Sequence, residues 1–392
     1  MSTATSSAID ASPVPAHIDE YLDAIGQKLR LSETAYGQAR DRYHAVAEWL
    51  NADGSNLRQF DPDIFSQGSF RIRTTVRPVG DTEYDIDLVC IVDATTSDFP
   101  QPVALLDLIE ARLREHGTYK SMVERKRRCI RLNYANEFHM DILPACPNPS
   151  GFKFHREHCL LVPDRELHDW VDSNPRGYAK WFEYKEEQAI ISFKKRAEPV
   201  PEQQTYEEKT TLNRAVQLMK RHRDFTLADV PEYERPISIV LTTLAASNYD
   251  GTLSVIDALH NIVTRIASEV RQAETIGARL TVANPTNEKE DLSERWEDRK
   301  IYAGFKKWLN AITADLSELR NTTGVPQIIT KLKSMFGENV TNDVVTQFAE
   351  RYSGLRYSGD LAVASGSGVV VSKDSPRSTP MPQNTFHGEE QD

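Results

Sequence analysis

The sequence predicts an α+β fold in two lobes, in which a mixed core of helices and strands is followed by a C-terminal helical lobe. Three patterns lead to this prediction. Apolar residues recur at helical spacing from His17 to about Ala52. Strand-like apolar runs separated by turn residues then extend as far as Leu143. After about residue 205 the helical spacing returns, and the strands are predicted to stop.

The core elements follow one another between the two helical parts. Strands are predicted at residues 64–70 and 84–92, and the second is mostly apolar, as in a strand buried on both faces. A helix is predicted at residues 100–116, where apolar residues fall on one side. Residues 129–134 and 138–143 are predicted to form a β-hairpin around a short turn.

Three amphipathic helices are predicted in the C-terminal half, at residues 212–219, 237–244 and 301–319. The polar segment 281–299 is predicted to be a loop, and the Gly/Ser/Pro-rich end of the chain a disordered tail. The predicted division is a flexible N-terminus at residues 1–16, a core with its N-terminal helix at 17–205, a helical lobe at 206–357 and the tail at 358–392.

Composition restricts the partners and the compartment of the chain. Its 392 residues carry 47 basic and 58 acidic side chains, which argues against broad DNA binding because such binding needs a phosphate-neutralising surface. The cysteines include no C-x-x-C pair, and no apolar run is long enough to span a membrane. The first residues lack the basic flank and apolar core of a signal peptide. We therefore expect a cytoplasmic protein without a membrane partner.

Two acidic residues in one predicted strand give the first functional signal. Asp85 and Asp87 are two positions apart, so their side chains project from the same face. Neighbouring carboxylates repel each other unless a cation compensates them, and Mg²⁺ is the usual cation where oxygen ligands meet substrate phosphates. Asp141 lies in another apolar strand-like run, where a charge needs a partner or a metal. Three such carboxylates predict a two-metal site, with ions about 3.5–4 Å apart.

An ordinary structural interpretation of these acids is also open. A pair of aspartates two residues apart is common, and Asp85 and Asp87 could be solvent-facing strand residues. Gly68 and Ser69 upstream favour the functional interpretation, because glycine lets backbone N–H groups approach a phosphate and serine adds a hydroxyl donor. The order of a Gly-Ser pair, an Asp-x-Asp strand and a later strand aspartate is a specific combination.

Five segments together resemble a known enzyme superfamily. They resemble the polymerase-β-like nucleotidyltransferases and, within them, the bacterial cyclic-oligonucleotide synthases (CD-NTases) of CBASS anti-phage systems, relatives of cyclic GMP-AMP synthase and oligoadenylate synthase. The resemblance runs from about residue 60 to residue 250 and implies a polymerase-β-like nucleotidyltransferase core with a C-terminal helical lobe. The matching segments are QGSF (67–70), YDIDL (84–88), HMDILPA (139–145), LMKRHR (218–223) and PISIVL (236–241).

The resemblance implies a role for each core residue of these segments. Gln67 and Ser69, with Gly68 between them, would hold the donor triphosphate. The Asp-x-Asp pair would bind the metal on that triphosphate. Asp141 would complete a second metal site and help to activate the attacking ribose hydroxyl. The implied cofactor is a pair of Mg²⁺ ions, with Mn²⁺ as a possible substitute.

The helical lobe would add two phosphate contacts, Lys220 and Ser238, by the same resemblance. The residues alone leave Lys220 open, because it lies in a basic helical segment with Arg214, Arg221 and Arg223, and such a face is more often solvated. A single lysine is a nonspecific signal for phosphate binding.

The activity implied is synthesis of a cyclic di- or trinucleotide from NTPs, with purine NTPs favoured and pyrophosphate released. A linear nucleotidyltransferase acting on RNA ends or nucleotides is an alternative within the same enzyme class. A catalytically silent nucleotide-binding scaffold is the alternative from another class. The complete set of three aspartates argues against the scaffold, because a pure binder needs no second metal ligand.

Two further segments have more than one interpretation. The basic run at residues 125–128 suits an exposed strand entry or a contact for ligand phosphates. Residues 174–182 contain Pro and Gly and are predicted to turn. Trp181 and Phe182 are expected to pin that turn against the core, whereas Tyr178 could also stack on a base.

The end of the chain and one missing module complete the expectations. Residues 384–388 place an aromatic residue before Gly388, which suits a peptide handle. Some members of the resembled family have ubiquitin-transfer-like partners that conjugate the C-terminus, but here four residues follow Gly388, so conjugation would need trimming. The zinc-binding His/Cys insertion of the animal DNA sensor is missing, so no zinc-dependent DNA-sensing module is expected.

Overall fold

The computed structural model describes residues 16–77, 83–135, 137–150, 158–194, 210–364, 370–375 and 377–381. The chain divides into two compact units. The larger unit spans Leu29–Thr313, and the smaller unit combines the chain up to Lys28 with the chain from Ala314 onward. Across the described ranges, no helix has both the length and the apolar character needed to cross a bilayer.

One mixed sheet forms the centre of the larger unit. Its strands are β1 (Asp63–Gln67), β2 (Tyr84–Ile91), β3 (Val123–Arg125), β4 (Ile130–Tyr134), β5 (Phe138–Pro147), β6 (Leu160–Asp164) and β7 (Asp169–Ser173). They are ordered β1-β2-β5-β4-β3, with β6 paired to β5 and β7 to β6. The pairing of β2 with β5 is parallel, and the other pairings are antiparallel.

The sheet has one face buried against helices. In β2, Ile86 and Leu88 have no exposed surface, whereas Asp85 and Asp87 occupy the alternate positions and keep some exposure. This confirms the alternation predicted for the strand. The predicted hairpin is also confirmed, since β4 and β5 pair in antiparallel register.

Along the chain, the helices of the larger unit precede, connect and follow these strands. They are α2 (Glu33–Asn51), α3 (Gly68–Arg71), α4 (Val103–Glu115), α5 (Pro175–Lys194), α6 (Thr211–Thr226), α7 (Ser238–Asn248), α8 (Val255–Thr275) and the first part of α9 (Arg299–Asn321). The helices predicted at residues 100–116, 212–219, 237–244 and 301–319 are thus confirmed. α6 begins with a capping box, in which Thr210 and Asn213 satisfy each other's backbone N–H groups.

The smaller unit is helical with a short sheet. Its helices are α1 (Ala16–Lys28), α10 (Val325–Phe336) and α11 (Glu338–Ser358). Ile18, Leu22 and Ile25 are fully buried on one face of α1, as their spacing predicted. The rings of Tyr21 in α1 and Phe348 in α11 pack edge to face with centroids 4.9 Å apart.

Two predictions about strands are wrong. The strand predicted at residues 64–70 ends at Gln67, because Gly68 has a φ of +62° and begins the single turn of α3. The prediction that strands stop after residue 205, with a loop at 281–299, fails because β8 (Ala283–Asn284) and β9 (Asn287–Asp291) form a hairpin there. These strands are short and polar, so they lack the apolar alternation that would reveal them.

The predictions of a turn at residues 174–182 and of a disordered tail are also wrong. Residues 174–182 do not turn, because Pro175 is the first residue of α5, where its missing N–H has no helical partner to lose. The tail predicted to be disordered from residue 358 contains a three-stranded sheet of β10 (Leu361–Ala364), β11 (Val370–Ser372) and β12 (Ser378–Pro380). The predicted handle at residues 384–388 lies outside the described residues.

Candidate active site

The parallel pairing of β2 with β5 brings the three aspartates together. Asp87 lies opposite Asp141 in the register, and Asp85 lies opposite His139. Because paired residues of adjacent strands point to the same face, all three carboxylates leave the sheet on the side away from Ile86. Three aspartates that were predicted from separate sequence segments thus lie close together in the sheet.

One cavity of about 720 Å³ in the larger unit receives all of the predicted site residues. They are Gln67, Gly68, Ser69, Asp85, Asp87, Asp141, Lys220 and Ser238. They come from β1, α3, β2, β5, α6 and α7, which are far apart in the sequence. The structure therefore brings together every residue that the sequence singled out for this site.

Gly68 is required by two features of the backbone. Its φ of +62° is in the left-handed region, which side chains with a Cβ rarely adopt. A Cβ placed on Gly68 would also collide with Oδ2 of Asp87. The residue therefore allows the turn after β1 to pass directly beside the carboxylate. Ser69 follows in this turn, with its Oγ 3.3 Å from Oγ1 of Thr75.

The carboxylates of the cavity are short of positive charge. Burial raises the pKa of Asp87 to about 7, and the charges of Asp141 and Asp85 add to the effect. Desolvation also raises the pKa of Asp85, although Arg131 opposes it. A carboxyl with such a pKa gains most from a nearby cation.

Arg131 supplies part of this charge and was missed by sequence reasoning. Its Nε donates to Oδ1 of Asp141 at 2.7 Å, and its Nη2 donates to Oδ2 of Asp141 at 2.8 Å. The same Nη2 reaches Oδ1 of Asp85 at 3.3 Å. The predicted hairpin could have identified it, because pairing Tyr134 with Phe138 also pairs Arg131 with Asp141.

Lys220 is buried, so the solvated-face interpretation of this lysine is wrong. It is 5% exposed, and its Nζ donates to the carbonyl oxygen of Thr74 at 3.2 Å and to Oγ1 of Thr74 at 3.0 Å. Burial lowers the pKa of Lys220 to about 7, and the positive charge of Arg223 contributes. Its ammonium group faces a cavity that also holds Asp87.

Ser238 is the first residue of α7 and faces the same cavity. Its Oγ accepts a hydrogen bond from Nη1 of Arg223 at 3.0 Å, and that nitrogen also donates to the carbonyl oxygen of Pro236 at 2.9 Å. Arg223 itself lines the cavity. A second cation therefore stands beside the serine that was predicted to contact phosphate.

The carboxylate oxygens of this cavity suit a hard divalent cation, although their side chains do not converge on a single point. Within the described ranges, no three His, Cys, Asp or Glu side chains are arranged around one point as metal ligands. The carboxylates of Asp85, Asp87 and Asp141 nevertheless share one face of one cavity, and carboxylate oxygens are the ligands that Mg²⁺ prefers. A bound cation would stabilise the charged form of Asp87, whose pKa is raised to about 7 by burial.

The other candidate segments have structural roles in the larger unit. Each cation of the basic run at residues 125–128 pairs with a carboxylate, and Arg127 and Arg128 share Asp164. Trp181 and Phe182 are buried, as expected. Tyr178 is also buried, and its hydroxyl lies 2.9 Å from Oγ1 of Thr243.

Comparison with known proteins agrees with this site. A family model for the Second Messenger Oligonucleotide or Dinucleotide Synthetase domain matches residues 17–186. A c-di-GMP synthase of Roseivirga ehrenbergii is 30% identical over 378 residues, which cover 95% of this chain and 97% of that protein. The cyclic dinucleotide synthase CdnG of Bradyrhizobium diazoefficiens is 27% identical over 389 residues, 91% of each chain.

Solved structures share the fold. The CD-NTase CdnG of Bradyrhizobium diazoefficiens in complex with GTP superposes with a TM-score of 0.67 at 25% identity and covers 85% of this chain and 99% of that one. DncV of Escherichia coli with 3′-deoxy GTP superposes with a TM-score of 0.51 at 17% identity over 84% of this chain and 88% of that one. The fold, the aspartate arrangement and the relatives agree, and the chain belongs to the bacterial CD-NTase family of second messenger oligonucleotide or dinucleotide synthetases.

Proposed function

We propose that this synthase joins two guanine nucleotides into a cyclic dinucleotide, with Asp85, Asp87 and Asp141 as the ligands of two Mg²⁺ ions. One observation supports this most directly: the aspartates, the Gly-Ser turn, Lys220 and Ser238 line a single cavity. Relatives named c-di-GMP synthase and CdnG, one of them solved with GTP, support the choice of guanine. The linear and scaffold alternatives are not favoured by these relatives.

Each bond-forming step is an in-line phosphoryl transfer. A ribose hydroxyl oxygen bonds to the α-phosphorus of a second NTP, the bond from that phosphorus to the β-phosphate oxygen breaks, and pyrophosphate leaves. The hydroxyl proton leaves toward Asp141. Bound Mg²⁺ supplies charge compensation for the triphosphate, and the protein contributes positioning. Two such steps close the ring.

The remaining residues hold the donor triphosphate in this proposal. Gln67 and Ser69 lie where β1 passes into α3, beside the carboxylate of Asp87. Lys220 contributes an ammonium group from α6, and Ser238 contributes a hydroxyl from α7. Basic and hydroxyl donors thus line the same cavity as the carboxylates, which suits a bound metal–triphosphate.

Identification of the reaction product tests this proposal. Purified protein is incubated with all four NTPs and Mg²⁺ or Mn²⁺, and the products are identified by mass spectrometry. We expect a nucleotide without terminal phosphates, resistant to phosphatase and cut by phosphodiesterase. The Asp85→Asn/Asp87→Asn variant is the control and should yield none. A major product that phosphatase degrades would support the linear alternative instead.

The biological setting belongs to the same proposal. The product would act as a second messenger in anti-phage defence, as the family resemblance implies. The segment 384–388 would serve as a handle for a ubiquitin-transfer-like partner after the residues beyond Gly388 are trimmed. An extended peptide can enter a groove of such a partner.

A further inference from the structure

The hairpin of β8 and β9 forms part of the wall of the active-site cavity. Asn284, Glu290 and Leu292 from this segment line the same cavity as the aspartates. This role was not predicted from the sequence, because the segment is polar and its pattern indicates a loop. A carboxylate in this wall is not used by the phosphoryl transfer described above.

Buried hydrogen bonds fix the hairpin against β7 and the start of α5. Asn287 is 1% exposed, and its Nδ2 donates to the carbonyl oxygen of Asp172 at 3.1 Å. Nδ2 of Asn174 donates to the carbonyl oxygen of Thr286 at 3.4 Å. Buried polar groups held in this way form a rigid wall, because breaking any one bond leaves a buried group unpaired.

Two side-chain amides orient the carboxylate of Glu290. Its Oε2 accepts from Nδ2 of Asn284 at 2.8 Å and from Nδ2 of Asn287 at 3.3 Å. The amide of Asn284 is itself fixed, since its Oδ1 accepts from the backbone N–H and the hydroxyl of Thr286. Among the described residues, none donates a hydrogen bond to Oε1 of Glu290. Burial raises the pKa of this carboxyl, and the amides oppose that rise.

A carboxylate accepts about four hydrogen bonds, of which the two amides fill two. Both open positions are on Oε1, because both amides donate to Oε2, so they call for a ligand whose two neighbouring N–H donors converge on one oxygen. Guanine carries such a pair on its Watson–Crick edge, the N1–H and the exocyclic N2 amino group. Adenine, cytosine and uracil each place a lone-pair acceptor where one of these donors would be needed.

We propose that Glu290 reads the Watson–Crick edge of a guanine base and is a specificity-determining residue of this synthase. This inference rests on the proposed function and names the group that selects its substrate. Leu292 provides apolar surface in the same wall. Glu290 is half-buried, and a bound base would exclude the remaining water from its carboxylate, so a base that cannot donate to it is rejected.

Inosine triphosphate gives a test that needs no turnover, because it differs from GTP only by lacking the N2 amino group. Equilibrium binding of GTP, ITP and ATP is measured with the full-length protein. The wild type should bind GTP about tenfold or more tightly than ITP, and ITP more tightly than ATP, since each charged hydrogen bond contributes about that factor. Equal binding of GTP and ITP by the wild type overturns the proposal without any variant.

The Glu290→Gln variant tests whether Glu290 is responsible for the selectivity for GTP over ITP. The amide keeps the shape but replaces one acceptor by a donor, so GTP affinity should fall about 10- to 100-fold. ATP affinity should not fall, and the GTP/ITP ratio should approach one. Glu288→Gln is the matched control, because Glu288 is on the same strand but exposed and away from the cavity lining.

Two results with Glu290→Gln overturn the proposal. An equal loss for GTP and ATP gives Glu290 only a structural role in the hairpin, and an unchanged GTP/ITP ratio shows that it does not contact the base. Failure of the proposed function has a different signature. In that case the protein binds GTP with the expected selectivity but forms no cyclic product.

Discussion

At the scale of single residues, the site concentrates like charges that the fold only partly compensates. Asp87 has a pKa near 7, and the guanidinium of Arg131 is committed to Asp141 and Asp85. The negative charge of Asp87 is therefore a cost to the metal-free fold. Such a cost is expected where a group is selected for substrate chemistry and not for stability.

Replacing Asp87 by Asn should abolish synthesis and raise the Tm of the metal-free protein near neutral pH. The folded pKa of about 7 lies above the unfolded value of about 3.9, so the wild type loses stability as the pH rises through that window. The variant should lack this fall. The measurement is Tm in EDTA at about pH 5 and about pH 7.5. Synthesis at the wild-type rate would contradict the metal assignment.

Lys220→Met should weaken NTP binding without unfolding the protein. Burying the ammonium costs stability, since it lowers the pKa of Lys220 to about 7, and removing that cost offsets the two hydrogen bonds to Thr74 that the variant loses. The protein should therefore remain folded near neutral pH. The KM for NTP should rise about tenfold or more from loss of a charged phosphate contact. Lys300→Met, at an exposed position, is the control. An unchanged KM would remove Lys220 from the site.

The sequence predicted some of these residues for reasons that hold generally. Asp85 and Asp87 could be predicted because alternation in a strand is local. Arg131 could also have been predicted, because the hairpin register implied its position opposite Asp141. The burial of Lys220 could not be predicted, because a basic helical segment resembles a solvated face until the neighbouring helices are known.

At the scale of elements, the turn between β1 and α3 depends on a missing side chain. Gly68→Ala should destabilise the fold by about 1–3 kcal/mol and strongly reduce synthesis, since a positive φ and a clash with Asp87 combine. Gly37→Ala is a matched control within α2, where no other atom lies within 4 Å of the added Cβ. It should stabilise by up to about 1 kcal/mol. Chemical denaturation measures both, and equal effects would contradict the account.

The elements that escaped prediction share one property. β8 and β9 are short and polar, and their hairpin is held by side-chain amides of Asn284 and Asn287 more than by apolar burial. Periodicity detects burial of apolar side chains, so it fails for such strands. The strands near the C-terminus failed for a related reason, because the composition around them is typical of disorder.

At the scale of the whole molecule, the described chain ends in a sheet, and the proposed handle comes after it. Truncation after Met381 should leave synthesis by pure protein nearly intact and abolish any partner-dependent conjugation. Truncation after Ser358 removes β10, β11 and β12 and is expected to lower the Tm as well. The measurements are product yield and conjugation in the presence of the partner. Loss of synthesis in the shorter truncation would make residues 382–392 part of the catalyst.

The parallel pairing of β2 with β5 also has a consequence in time. A parallel partner cannot follow through a tight turn, so α4, β3 and β4 are made before β5 can dock beside β2. At synthesis rates of about 5–20 residues per second, several seconds separate the emergence of Asp87 from that of Asp141. During this interval the growing chain has only two of its three acids. A chain whose translation stops in this interval therefore cannot assemble the set of three carboxylates.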